Sequence, residues 1–220
     1  MERTPEPELM EGEAQAAAYA GADFSQPNQL FVDTFRQRFP GHQPRTILDL
    51  GCGPADIPCR LARLFAGATI DCVDGSTAML AHARQRIEAA SLDKRIRLIH
   101  ATLPATSLGQ GCYDAVVSNS LLHHLADPMV LWESVARYTK KNGAVLVMDL
   151  KRPESREKAE ELVELYAREE PEVLKKDFFC SLLAAYRPEE VEEQLARAGL
   201  GRLTVGTISD RHLMVAGVMP

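Results

Sequence analysis

Short apolar runs alternate along the chain with segments whose apolar residues recur every three or four positions. The runs Thr46–Leu50, Ala68–Val73, Ile96–Ile99, Tyr113–Val117 and Ala144–Leu150 are nearly continuous in apolar residues, as buried strands are. Between them, Ile57, Leu61, Leu64 and Phe65 follow helical spacing. So do Met79, Leu80, Ala83 and Ile87, and again Trp132, Val135 and Tyr138. Ser76 is placed to cap the second of these helices. Asp127-Pro128 starts the third, and Asn142-Gly143 ends it. Strands buried on both faces and separated by amphipathic helices predict a parallel sheet covered on both sides. Two further runs, Leu203–Ile208 and His212–Val218, predict closing strands joined by Ser209-Asp210-Arg211.

The flanks have a different character. Residues 1–13 are rich in Glu and Pro, which predicts a frayed or loosely docked end. An Ala-rich helix follows over Glu13–Ala22 and carries Tyr19. After a break at Asp23-Phe24, Ser25 is placed to cap a helix bearing Leu30, Phe31 and Phe35, which Pro40-Gly41 ends. Phe31 and Phe35 read as core, whereas Tyr19 and Phe24 fit either core packing or a cover over a binding crevice. Beyond the fifth strand, charged helical runs Glu154–Glu169 and Glu172–Ala185 are separated by Pro171 and are longer than a simple crossover needs. A last helix spans Pro188–Ala198, with Gly199 at its end. The chain therefore divides into an N-terminal helical cap (1–40), a core (41–152), a helical lid insertion (153–187), and a last helix with hairpin that completes the core (188–220).

Composition narrows the function. The 220 residues suffice for one domain with a sizeable core and a small lid. A formal net charge of −6 argues against a nucleic-acid partner, because phosphate binding needs a basic surface. No apolar run has membrane length, and the acidic N-terminus lacks the basic and apolar regions of a signal peptide. Five scattered cysteines (Cys52, Cys59, Cys72, Cys112 and Cys180) have no metal-finger spacing, so the expectation is a reducing cytoplasm and no metal. Cys52 reads as a small residue in a tight turn and Cys72 as core.

The densest chemistry follows the first strand. Thr46–Leu50 runs into Gly51-Cys52-Gly53-Pro54-Ala55-Asp56 and then a helix. Glycines there permit positive φ and let a ligand lie against the backbone, while the helix aims free N–H groups into the same crevice. A dinucleotide fold would use the same turn and would tolerate Ala55. Asp49 tips the balance, since a carboxylate repels a pyrophosphate but attracts a cationic amino-acid ligand. Asp74 closes the next strand about 20 residues after Gly51, where an acid accepts from ribose hydroxyls.

This combination resembles motif I of the class I S-adenosylmethionine-dependent methyltransferases. The resemblance covers roughly residues 45–150 and includes Val117-Ser118-Asn119-Ser120-Leu121-Leu122-His123-His124 after the fourth strand. It implies a Rossmann-like α/β fold: a doubly wound, mainly parallel seven-stranded sheet with a C-terminal antiparallel hairpin and, here, a helical lid. By the same resemblance Gly51, Cys52 and Gly53 pass the methionine part of the cofactor and Asp49 orients its amino group. Asp74 holds the ribose, with Gly75, Ser76 and Met79 beside the adenosine, although Met79 equally fits the core. Ala101-Thr102 stands where the family often has an acid, which leaves adenine to backbone groups and the Thr102 hydroxyl. Asn119 and Ser120 face the sulfonium.

Methyl transfer needs a base only if the acceptor must first lose a proton. His123 and His124 are the candidates; neighbouring helical positions point roughly 100° apart, so one of them faces the crevice. Tyr19 and His123 occupy relative positions similar to the tyrosine and histidine that close the site of phosphoethanolamine methyltransferases. Both residues also fit purely structural roles. Asp149 is placed to anchor a polar acceptor group and Arg152 a carboxylate. Phe178, Phe179 and Tyr186 either wall an apolar acceptor or glue the lid down. The expected protein is a monomeric or homodimeric enzyme acting on a small-molecule acceptor, with S-adenosylmethionine as donor. Alternatives are carboxy-S-adenosylmethionine synthesis, with Arg187 as its arginine, and a cofactor-binding regulatory protein that performs no transfer.

Overall fold

A computed structural model of the chain describes residues 1–6, 12–105 and 108–220. The apolar runs form β1 (Thr46–Leu50), β2 (Thr69–Asp74), β3 (Ile96–His100), β4 (Tyr113–Asn119), β5 (Thr139–Leu150), β6 (Thr204–Thr207) and β7 (His212–Val218). They make one seven-stranded sheet in the order β3-β2-β1-β4-β5-β7-β6. β1 through β5 pair in parallel, and β7 runs antiparallel between β5 and β6. The expected Rossmann-like, doubly wound sheet with its closing hairpin is the observed fold. Strand order reverses at β1, which pairs β2 on one side and β4 on the other. In such sheets the crevice beyond the strand ends at that reversal is where ligands bind.

Helices cover both faces. On one lie α2 (Ser25–Arg38), α3 (Asp56–Leu64) and α4 (Thr77–Ala89), packing Phe31, Phe35, Leu61, Ala83 and Ile87 against Ile47 and Ile70. On the other, α5 (Met129–Tyr138) and α8 (Pro188–Arg197) pack Trp132, Val135, Val191 and Leu195 against Leu48, Leu50 and Val116. The alternation of Ile47 with Leu48 across the two cores shows why β1 had to be apolar throughout. α1 (Glu13–Gly21) lies over α4 and α7, and the lid consists of α6 (Arg156–Ala167) and α7 (Glu172–Ala184). The lid has its own small core of Ala159, Leu162, Leu182 and Leu183 on Leu150, the last residue of β5.

Two local expectations are corrected. α5 ends at Tyr138, not at Asn142-Gly143. The Asn-Gly pair instead forms an irregularity within β5, where Asn142 takes φ +61° and a Cβ on Gly143 would come 2.8 Å from Lys140 O. Its turn chemistry serves a strand rather than a helix end. Ser25 is the first helical residue rather than the cap, and its N–H donates to the Asp23 carboxylate at 2.9 Å. Of the two states expected for the N-terminal stretch, residues 1–6 take the docked one: Thr4 N–H donates to Leu183 O at 3.0 Å, and Arg3 donates to Ala184 O and to His123 O. The remainder of the Glu/Pro-rich stretch, residues 7–11, lies outside the described residues.

Buried Trp132 fixes α5 to α8 by donating its indole N–H to Gln194 Oε1 at 2.8 Å. Gln194→Ala strands that donor and is expected to lower the unfolding free energy by about 1–3 kcal/mol. Trp132→Ala should cost about 3–5 kcal/mol. Urea unfolding with unchanged slope checks both.

Candidate active site

At the end of β1 the chain turns through Gly51 (φ +74°), Gly53 (φ +51°) and Ala55 (φ +61°) before α3 begins. The turn is tied to β2, since Gly51 N–H and Cys52 N–H both donate to Val73 O, at 2.8 and 3.0 Å. A Cβ on Gly51 would lie 2.9 Å from Leu121, so glycine is required there by contact as well as by φ. A Cβ on Gly53 would meet nothing within 4 Å, because that residue faces open space.

Asp74 ties this turn to the next helix. One carboxylate oxygen accepts from Gly53 N–H and the other from Ser76 N–H, each at 2.8 Å. Burial raises its pKa against the lowering effect of those two donors. Ser76 in turn caps α4 by accepting from Met79 N–H at 3.2 Å. A carboxylate offers about four acceptor positions, so Asp74 retains capacity for hydroxyls.

Asp49 is the electrostatic anomaly. It is 3% exposed, and burial together with the nearby Asp74 carboxylate pushes it up to about 8. No cation or donor among the described residues offsets that shift. Such a group favours a cationic ligand.

Across the crevice, β4 ends at Asn119, whose amide donates to Ser120 Oγ at 3.1 Å. A 3₁₀ turn, Leu122–His124, follows. His123 is buried, and its Nδ1 pairs with the Asp149 carboxylate, which also accepts from the backbone N–H groups of His123 and Leu150. Burial alone would lower the His123 pKa, but Asp149 and Glu6 outweigh it and the net shift is upward. Asp149 is held below the usual carboxylate range by His123 despite its burial. The rings of His123 and His124 stand 4.2 Å apart, and Glu6 reaches both.

A cavity of about 800 Å³ joins these parts, within the range of small-molecule sites. Its wall contains Asp49, Gly51, Cys52, Gly53, Asp74, Gly75, Ser76, Met79, Ala101, Thr102, Asn119 and Ser120, all expected at the cofactor end. Tyr19, His123, His124 and Phe178 also line it. Tyr19 packs on Phe24 with ring centroids 4.7 Å apart, and burial with nearby Asp149 and Asp74 raises its phenol to about 12.

Three expected acceptor contacts lie elsewhere. Asp149 sits beneath His123 as its ion-pair partner instead of lining the cavity. Arg152 pairs with Glu190 and donates to Ala185 O. Tyr186 donates to Leu125 O at 3.4 Å and carries the Arg3 guanidinium 4.2 Å from its ring centroid. A bridge between Lys151 and Tyr186 joins the chain after β5 to the chain after α7, which draws both side chains to the α8 side. Arg187, the alternative's arginine, is not in the wall either and donates to Met1 O at 3.1 Å. Sequence reasoning missed Arg211 and His212 in the wall, having treated the hairpin turn as a mere connector, and gave Leu121 of the fourth-strand pattern no role there. It also missed Glu6 beside the histidines. The basic pair Arg211-His212 was the visible signal for the turn.

Residues 47–143, from β1 into β5, match the family described as a methyltransferase domain. That span is a methyltransferase domain of the class I S-adenosylmethionine-dependent type. It is 32% identical over 122 residues to the trans-aconitate 2-methyltransferase of Delftia acidovorans, covering 56% of this chain and 43% of that one. The chain spans about half the length of the curated relatives it matches. Among solved structures, a SAM-dependent methyltransferase from Aquifex aeolicus superposes with TM-score 0.69 at 17% identity, covering 95% of this chain and 99% of that one. Phosphoethanolamine N-methyltransferase 2 of Haemonchus contortus, in complex with S-adenosyl-L-methionine, gives 0.71 at 16% identity, covering 95% and 57%. These two share the fold. The cofactor of such methyltransferases is S-adenosylmethionine, and the cavity wall here carries an uncompensated buried acid, an open glycine and an acid with spare acceptor positions.

The uncompensated charge has a measurable cost. The folded-state pKa of Asp49, about 8, lies above its ordinary 3.8, so the native state binds the proton more tightly. Stability from this group is therefore present below about pH 4 and is lost as pH rises to about 8. Without cofactor, Asp49→Asn should gain thermal stability relative to wild type across that window. Parallel melting curves for the two proteins from acid to pH 8 would contradict this.

Proposed function

We propose that this chain transfers the methyl group of S-adenosylmethionine to a small molecule bound in the same cavity. The observation that carries the reading is Asp49, a buried acid without a counter-charge beside an open glycine turn. Asp49 with Gly51, Cys52 and Gly53 would hold the cationic amino-acid end of the cofactor. Asp74 would accept from the ribose hydroxyls. Ser76, Met79, Ala101 and Thr102 would border the adenine, and Asn119 and Ser120 the sulfonium. When bound, the sulfonium supplies an already activated methyl group, so the protein's task is mainly in-line alignment and exclusion of water.

The acceptor end is where Tyr19, His123, His124 and Phe178 meet. One cavity must accommodate donor and acceptor together, which favours a small acceptor. The relatives named for trans-aconitate and for a malonyl carrier are compatible with acceptors that are small or presented on a carrier arm. Asp149 holds His123 in one orientation, so a proton leaving the acceptor has a fixed group to meet. Among the described residues, no helix is long and apolar enough to cross a membrane.

Calorimetric titration with S-adenosylmethionine and S-adenosylhomocysteine tests the cofactor end. Wild type should bind both, and Asp74→Ala should lose both. Asp49→Asn should weaken each at least about tenfold, a loss of roughly 1.4 kcal/mol. Failure of wild type to bind either, under conditions where NAD does bind, would overturn the reading. With binding in hand, release of S-adenosylhomocysteine during a screen of small acceptors identifies the substrate.

A further inference from the structure

The two histidines after β4 are met by a residue from the far end of the chain. Residues 1–6 run along α7 and are fastened at several points. Thr4 N–H donates to Leu183 O, Arg3 donates to Ala184 O, His123 O and Leu125 O, and Arg187 donates to Met1 O. This anchoring brings Glu6 against the two cavity-lining histidines. A single oxygen, Glu6 Oε1, lies 3.4 Å from His123 Nε2 and 3.3 Å from His124 Nδ1. The three ligand-type atoms all fall within 4.8 Å of one another.

We propose that Glu6, His123 and His124 bind one divalent transition-metal cation. The spacing is the first argument. A direct imidazolium–carboxylate hydrogen bond closes to about 2.7–2.9 Å. Two ligands held at about 2.1 Å from a tetrahedral ion lie about 3.4 Å apart, which is the separation seen here.

The surroundings supply the second argument. Asp149 engages His123 Nδ1, which leaves Nε2 as the nitrogen facing Glu6. A carboxylate behind a ligating histidine fixes its tautomer and raises its basicity, the usual support of a bound metal. Asp149 is itself held by the backbone N–H groups of His123 and Leu150. Ser181 Oγ donates to Glu6 Oε1 at 3.0 Å, so the carboxylate is oriented too.

Donor type sets the metal. Two imidazoles and one carboxylate suit Zn²⁺, Fe²⁺ or Co²⁺ better than Ca²⁺ or Mg²⁺, which prefer all-oxygen shells. Glu6 and Asp149 supply two negative charges around neutral imidazoles, matching a dication. His123 and His124 both line the cavity, so the remaining coordination positions open toward the acceptor. There a cation would polarise an acceptor oxygen or sulfur and lower its pKa. That role rests on the methyl-transfer reading above, whereas the binding of the cation does not.

The test uses the full chain without cofactor, stripped with a chelator and titrated with Zn²⁺ by calorimetry and with Co²⁺ by absorption spectroscopy. Wild type should bind one equivalent and melt at higher temperature when loaded. Glu6→Gln and His124→Ala should each weaken binding by about 10–100-fold and change the Co²⁺ spectrum, with S-adenosylmethionine binding retained. Wild-type protein that binds S-adenosylmethionine but no equivalent of Zn²⁺ or Co²⁺ would overturn the proposal and leave Glu6 as a plain ion-pair partner. Cation binding that survives both substitutions would overturn it as well. Cation binding without S-adenosylmethionine binding would uphold the site while removing its place in methyl transfer.

Discussion

Three aspartates lie near the C-terminal ends of β2, β1 and β5, and much of the site's architecture depends on how each charge is handled. Asp149 on β5 is met by a histidine ring and two backbone N–H groups. Asp74 on β2 is met by backbone N–H groups alone. Asp49 on β1 is met by no donor or cation among the described residues. Like charges this close disfavour one another's ionisation, so the arrangement is stable only with protons or cations between them. The gradient from full to absent compensation separates an acid outside the cavity wall from two that line it.

That architecture also locates the lid and the chain's beginning. The 3₁₀ turn held by Asp149 offers His123 O and Leu125 O, and both accept from Arg3. Tyr186, at the end of the lid, uses Leu125 O as well. On the other flank Tyr166 of α6 donates to Asp210 at 2.7 Å and lies under the Arg211 guanidinium. The lid is thus fastened to the hairpin at one end and to the strand-four turn at the other. α7, between those points, is where residues 1–6 seat.

Much of this was legible in the sequence. Strand–glycine–helix order, Asp49 and Asp74 at strand ends, and the polar residues after β4 follow from short-range patterns that backbone geometry enforces. The continuous apolar strands likewise announced a sheet buried on both faces. What could not be read depends on contacts between distant parts of the chain. Glu6 lies in a Glu/Pro-rich stretch whose composition signals disorder, and only the Arg3 and Thr4 anchors reveal that it docks. Asp149 and His123 were both recognisable as chemistry, one as an acceptor anchor and the other as a base. Nothing local announced that they face each other. Arg152 and Tyr186 were misread because one bridge, Lys151 to Tyr186, decides which way that segment presents its side chains. The end of α5 was misread for a related reason, since an Asn-Gly pair prescribes a backbone conformation but not the element containing it.

The solitary carboxylate of Asp49 ties the lifetime of the polypeptide to its ligand. A protein destabilised by a buried acid that must hold its proton at neutral pH opens more often, and its unfolded fraction is exposed to proteases. A cation that binds only the native form shifts that equilibrium back in proportion to its concentration over its dissociation constant. In a cell short of the cofactor, the chain would be degraded faster. Its abundance would therefore follow methyl-donor supply.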